Sequence, residues 1–209
     1  MDSNTPKPVQ GARREGAGRP RDEAARKAIL HAALALVRES GYRSLTIEKI
    51  ARRAGTGKTT VYRWWPSKAA VVMEAFLNYI SPVIRFPSVT AVSASESIRR
   101  QMQAVTRAYA GPHGHLLLAL IAEAQFDPEL SRAFVADWIL PRRAMATAVI
   151  KAGIESGEFR KDIDIDVAID ALYGGLYYRF LIPYAPLSPR FARELSDVVL
   201  TGLRSTISM

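Results

Sequence analysis

Residues 46–65 read Thr46-Ile-Glu-Lys-Ile-Ala-Arg-Arg-Ala-Gly-Thr-Gly-Lys-Thr-Thr-Val-Tyr-Arg-Trp-Trp65, and the fold turns on this stretch. Thr46 suits the N-cap of a short helix with Ile47, Ile50, Ala51 and Ala54 on its buried face. Gly55 to Gly57 interrupts that helix, and a second runs from about Lys58 to Trp65. Two short helices that cross steeply need a small residue where their backbones approach, here Ala51. They also need a turn residue tolerant of positive φ, Gly55, and a branched apolar residue reaching back from the second helix, Val61. These spacings, four and then six, are those of a helix-turn-helix. The second helix of that motif lies in the DNA major groove. Lys58, Thr59, Thr60 and Arg63 fall on its exposed side, where lysine and arginine can donate to guanine O6 and N7.

The charge distribution agrees. The chain of 209 residues carries a formal +9. Residues 1–70 hold 15 Lys+Arg against 6 Asp+Glu, whereas residues 71–209 hold 14 against 14. A cationic excess confined to one third of the chain is the footprint of a polyanion partner. The absence of cysteine excludes thiol, disulfide and cysteine-metal chemistry. No uncharged apolar run is long enough for a membrane span, and residues 1–20 have no apolar signal core, so a cytoplasmic protein without membrane or cofactor is expected.

Gly55-Thr-Gly-Lys-Thr-Thr60 also resembles the end of a nucleotide-binding P-loop. The full pattern asks for glycine at position 52, which is Arg52, and for an apolar strand upstream, where the chain shows a basic amphipathic helix. A nucleotide hydrolase is therefore the weaker reading of this segment.

The rest reads as helix. Residues 1–21 form a flexible basic arm, and helical spacing starts at Asp22 and ends before Gly41. Ser67 caps a helix from Lys68, and Ser93 and Glu96 form a capping box for one reaching about Ala110. Asp127-Pro128-Glu129 starts another, residues 141–156 form one stopped by Gly157, and Asp164 or Asp166 and Ser188 cap the last two. The expected fold is all-α with about nine helices: a DNA-binding unit at 22–67 and a helical unit at 68–209. His113-Gly-His115 beside Pro112 reads as a turn rather than a metal site, and Asp162, Asp164 and Asp166 read as cap residues.

Residues 22–70 resemble the DNA-binding domain of the TetR/AcrR family of bacterial transcriptional regulators. The resemblance rests on Gly41-Tyr42, Thr46, Ile50-Ala51, Ala54-Gly55, Lys58, Val61-Tyr62 and Pro66-Ser67-Lys68. It implies that Thr46, Tyr62 and Lys68 hold phosphates while Lys58, Thr59 and Arg63 face bases. Trp64-Trp65 departs from the family's more usual His-Phe. Trp65 takes a core position, and Trp64 either donates its indole N–H to a phosphate or packs. Thr56 replaces the usual apolar residue after the turn glycine, which leaves base preference open. Gly18-Arg19-Pro20-Arg21 resembles an AT-hook core, so Arg19 and Arg21 either enter a minor groove or add only nonspecific affinity.

The region beyond residue 80 carries no strong motif. Val167–Ile182 is apolar nearly all round, and such a helix must be covered on two sides. With the last helix it suggests a four-helix homodimer interface, as the resemblance also implies, with Leu172, Leu176, Phe180, Leu195, Val199 and Leu203 as candidates. Members of the family hold small molecules inside this domain. The aromatic candidates for such a pocket are Phe86, Tyr109, Phe126, Phe134, Trp138, Tyr173 and Tyr177. The expected function is a repressor that holds a palindromic double-stranded operator as a dimer and leaves it on binding an unidentified small-molecule effector. The alternative from another class is an architectural DNA binder without sequence preference or ligand.

Overall fold

A computed structural model describes residues 19–82, 84 and 92–204. Ten α-helices follow one another: α1 (Arg19–Ser40), α2 (Ile47–Arg53), α3 (Lys58–Trp64), α4 (Lys68–Ile80), α5 (Ala94–Ala110), α6 (Pro112–Ala124), α7 (Pro128–Phe134), α8 (Leu140–Glu155), α9 (Ile165–Leu181) and α10 (Pro189–Leu203). A π-turn, Val135–Ile139, joins α7 to α8. Taken as one rod, α7 and α8 bring the number of helices among the described residues to nine. The one extended pairing among these residues is an isolated bridge between Phe159 and Arg204.

Local chemistry sets the boundaries. The side-chain oxygens of Thr46, Ser67, Asp127, Asp164 and Ser188 each accept a backbone N–H from the helix they start. Gly41 and Gly55 sit at φ 77° and 67°, where a Cβ would be strained, and they end α1 and α2. Ser93 caps α5 through Glu96 N–H, but the Glu96 carboxylate turns outward to Arg100. A carboxylate distant in sequence caps the next two amides of the helix instead. Glu158 Oε2 accepts Ala94 N–H at 2.8 Å and Oε1 accepts Ser95 N–H at 2.9 Å. Burial by itself would raise the Glu158 carboxyl, but hydrogen bonds from Ser95 and Ala94 hold it below the usual carboxylate range.

Two sequence expectations are corrected. α1 begins at Arg19, three residues before Asp22, so the backbone of Arg19 and Arg21 is helical and not part of an extended arm; residues 1–18 lie outside the described chain. His113-Gly114-His115 is not a turn but the first turn of α6, with Pro112 at the position where a missing N–H costs nothing. Gly114 serves close approach: a Cβ there would lie 1.8 Å from Tyr109 O. His113 stacks on Tyr79 with ring centroids 4.3 Å apart. Asp162 and Asp166 are paired with Arg160 and Arg143, and Asp164 caps α9.

One core runs the length of the molecule. Ile29, Tyr42, Leu45, Ile50, Ala51, Val61 and Trp65 close the first three helices on one another. Trp65 Nε1 donates to Glu74 Oε2 at 2.7 Å, and the other oxygen of Glu74 binds Arg26, so α1, α3 and α4 share one polar clasp. α4 packs on α1 on one side and on α7 on the other. Its Phe76 is fully buried, with its ring 4.8 Å from that of Trp138 in the π-turn. Farther on, α5, α8, α9 and α10 form a second cluster around Met102, Ile150, Leu172 and Leu200.

Leu172, Leu176 and Leu203 belong to that cluster, at 1%, 0% and 7% exposure, and cannot face a partner. Phe180, Leu195 and Val199 are half-buried. The outward stripe of α9 is instead Val167, Ala171, Gly174, Tyr178 and Leu181, one helical period apart. On α10 the outermost apolar residue is Val198, 73% exposed. α9 and α10 cross closely, since a Cβ on Gly175 would lie 2.9 Å from Leu195.

Candidate functional site

Two sites are built from these elements. The first is the face of α3. Val61 points inward and is fully buried, which fixes the helix by its apolar side and turns Lys58, Thr59, Tyr62 and Arg63 outward. Thr60 is half-buried. The turn leading to α3 is not a phosphate cradle. Gly55 N–H donates to Arg52 O and Thr56 N–H to Ala51 O, so two of the amides a P-loop would offer to phosphate are already used by α2. No strand precedes them, because α2 does.

Charge on this face is arranged in pairs. Lys58 Nζ lies 3.6 Å from Glu48 Oε1 across the turn, both side chains being more than half exposed. Arg53 is held by Glu39 at 2.7 Å, and this hydrogen bond raises the guanidinium and lowers the carboxyl. The guanidinium of Arg63 covers the ring of Trp64 at 4.9 Å. Trp64 is half-buried and meets Trp65 edge to face at 5.5 Å, so the departure from the usual family pair adds a platform beside Arg63. Thr46 stands exposed at the N-cap of α2. Lys68 is drawn inward: its Nζ lies over the Tyr42 ring at 4.3 Å and donates to Tyr42 O at 3.4 Å. Sequence reasoning missed Glu48, the acid facing Lys58, although its position two residues after Thr46 was in plain view.

The second site is a cavity of about 260 Å³ between α5, α8 and α9. Its wall includes Tyr109, Tyr173 and Tyr177, three of the seven aromatic candidates. Trp138 stands behind it, donating from Nε1 to Tyr177 Oη at 3.2 Å; Tyr177 Oη in turn meets Tyr109 Oη at 3.1 Å. Phe134 is buried against Trp138 in the core, and Phe126 is 78% exposed beside Arg43, so neither lines the cavity. Phe86 lies outside the described residues. The polar lining was not anticipated. It comprises Gln101, Arg142, Arg143 and Asp170. Arg143 binds Asp166 at 2.7 Å and also Asp170, which raises its guanidinium. Burial lowers Arg142 and pushes the hydroxyls of Tyr109 and Tyr173 well above the usual phenol range.

Residues 29–75 match the family model described as bacterial regulatory proteins, tetR family, and residues 93–199 match the tetracyclin repressor-like C-terminal domain. The HTH-type transcriptional regulator YdeS of Bacillus subtilis is 36% identical over 189 residues, covering 90% of this chain and 94% of its own. KstR2 of Mycobacterium tuberculosis, an HTH-type transcriptional repressor, is 28% identical over 168 residues, 79% of this chain and 80% of its own. Among solved structures, the TetR family transcription regulator SCO0332 superposes with a TM-score of 0.70 at 34% identity, covering 87% of this chain and 99% of its own. FadR of Thermus thermophilus, a repressor solved with lauroyl-CoA, shares the fold at a TM-score of 0.66 and 22% identity, over 88% and 98% of the two chains. A two-helix reading head, a cationic α3 and matches over both halves of the chain agree: the protein is a DNA-binding transcriptional regulator and belongs to the TetR family.

Proposed function

We propose that two copies of this chain pair through α9 and α10 and hold a palindromic operator as a repressor, and that a small molecule in the α5–α8–α9 cavity releases it. The observation that carries the DNA half is the face of α3, where Lys58, Thr59, Tyr62 and Arg63 are exposed while Val61 anchors the helix from beneath. In this reading Lys58, Thr59 and Arg63 read bases, with Thr60 beside them. Thr46 and Tyr62 hold phosphates, and Lys68 and Trp64 support the face from behind. Arg19 and Arg21, on the first turn of α1, add backbone contacts beside the head. Two-fold pairing sets two such heads about one DNA turn apart.

The apolar stripe Val167, Ala171, Gly174, Tyr178 and Leu181, continued by Val198, supports the pairing surface. Its small residues let two helices approach, and its exposure in the single chain leaves apolar area for a partner to cover. Leu195, Val199 and Phe180 flank it.

Release requires that the effector prefer the conformation whose heads are misplaced; equal affinity for both shifts nothing. The contacts that support coupling run Tyr109–Tyr177–Trp138–Phe76, from cavity wall to α4. A cytoplasmic repressor without catalytic activity is the whole of this reading.

The test is selection of bound fragments from genomic DNA, followed by footprinting. A symmetric protected site, bound at least about a thousandfold more tightly than random duplex at physiological salt, is expected. Equal affinity for both would establish an architectural binder instead.

A further inference from the structure

Arg142 is a half-buried cation with no ion pair among the described residues. Its Nη1 donates to Trp138 O at 3.2 Å, and its guanidinium lies on the Trp138 ring at 3.1 Å from the centroid. Its Nε is buried and makes no hydrogen bond. The nearest acids do not serve it, because Asp166 and Asp170 are both engaged by Arg143. Burial raises the Tyr109 and Tyr173 hydroxyls, so neither supplies an anion, and Tyr177 Oη is shared with Tyr109 and Trp138. Gln101, on the same wall, is 1% exposed and uses neither its amide oxygen nor its amide nitrogen. A buried polar group without a partner costs about 1–3 kcal/mol, more when charged. Both residues line the one cavity, and their unused polar atoms mark the wall where a ligand's polar end belongs.

We propose that the effector is a small carboxylate, its anion held by the fork of Arg142 and the amide of Gln101 and its apolar body lying among Val105, Ile139, Ile169 and Tyr173. This rests on the reading of the cavity as the effector site and names the chemistry of that site. Guanidinium and carboxylate match in plane and spacing, and the pair gives Arg142 the anion it lacks. Of the remaining polar groups, Arg143 and Asp170 are paired with each other and Tyr109 and Tyr177 share a hydrogen bond, which leaves a mainly apolar wall for the body of the ligand. The apolar side chains of the wall suit the body of an aromatic or short aliphatic acid.

The experiment measures binding by calorimetry and by tryptophan fluorescence on the full chain. Benzoate, phenylacetate, 3-phenylpropionate and octanoate are compared with their primary amides, and with benzylamine and choline. At least one acid should bind more than about tenfold more tightly than its amide. Arg142→Met should abolish that preference, Arg142→Lys should keep part of it, and Gln101→Leu should weaken the acid severalfold. Circular dichroism and melting verify that each variant is folded. The proposal is overturned if no acid binds, if an amide or an ammonium compound binds as well, or if Arg142→Met binds the acid unchanged. Operator binding followed in parallel separates the two readings. An acid that binds and leaves the operator complex intact refutes release but not the ligand class. An ammonium compound that dissolves the complex refutes the ligand class but not release.

Discussion

Lys58 and Glu48 face each other at 3.6 Å on the surface proposed to meet DNA, and their replacement should act in opposite directions. Lys58→Ala leaves the free protein as stable as before. The exposed pair contributes little in water, and a cation in the first turn of α3 opposes the helix dipole. On DNA the balance changes. A lysine that donates to a base edge contributes about 1–1.5 kcal/mol, the lower end of the range for base contacts, because it is a point donor and not a fork. A dimer loses it twice, so about 2–3 kcal/mol, or about 30- to 150-fold in operator affinity, should disappear. Glu48→Ala should tighten binding, since its carboxylate competes with DNA for Lys58 and repels nearby phosphates. The assay is fluorescence anisotropy with operator and random duplexes across a salt series. Base reading predicts a large loss on operator and a small one on random DNA. An equal loss on both, with the salt slope reduced by about 1.8 per dimer, would move Lys58 to a phosphate. A loss below about threefold on operator would refute any contact, and weaker binding by Glu48→Ala would show that Glu48 aims Lys58 instead of competing for it.

Three further outcomes are expected. Glu158→Gln removes a carboxylate cap from α5 and should cost about 1 kcal/mol at neutral pH in denaturant unfolding. Because the folded carboxyl titrates below its ordinary value of 4.5, its contribution is full above that value and fades as pH falls through the lowered one. The variant should therefore lose least where the parent is already acid-weakened, and a constant difference across pH 3–7 would contradict this. Val198→Arg places a charge on a residue 73% exposed in the single chain, so the monomer should fold normally while sedimentation shows the dimer lost and operator binding falls with it. An unchanged dimer would place the interface elsewhere. Gly114→Ala drives a methyl to 1.8 Å from Tyr109 O, a backbone atom that cannot yield alone, so a loss above about 2 kcal/mol is expected; a neutral result would mean that α5 and α6 separate freely.

The reading head was legible because every requirement of its geometry falls on a residue type that nothing else explains as well. Gly55 supplies a left-handed turn, Ala51 a close crossing and Val61 an anchor. The regulatory half was legible as helices but not as faces. In α9 the apolar residues go all round, and the large leucines at 172 and 176 proved to be the chain's own core, while small and aromatic residues face out. Periodicity cannot decide between two covered sides of one helix. α6 was hidden by Pro112 and Gly114, residues that usually punctuate loops; Gly114 is needed here because two backbones nearly touch, a long-range cause invisible in a local pattern. Arg142 was hidden for the opposite reason. Beside Arg143 it is one of two arginines in series on α8, and only packing separates the one with carboxylates from the one without.

The aromatic bridge from Phe76 to Trp138 bears on how this protein could be re-engineered as a sensor. Swapping reading heads between related regulators is commonly planned as a cut at a linker, yet among the described residues α4 is tied both to the head, through Glu74, and to the π-turn, through Phe76. A graft severed after Trp65 would have to re-create the Glu74 clasp, and one severed after Ile80 would present a foreign ring to Trp138. The transplantable unit is therefore α1 to α4 together with the stretch of α7 and the π-turn on which α4 rests, and signal transfer in a chimera should survive only where that seam is carried whole.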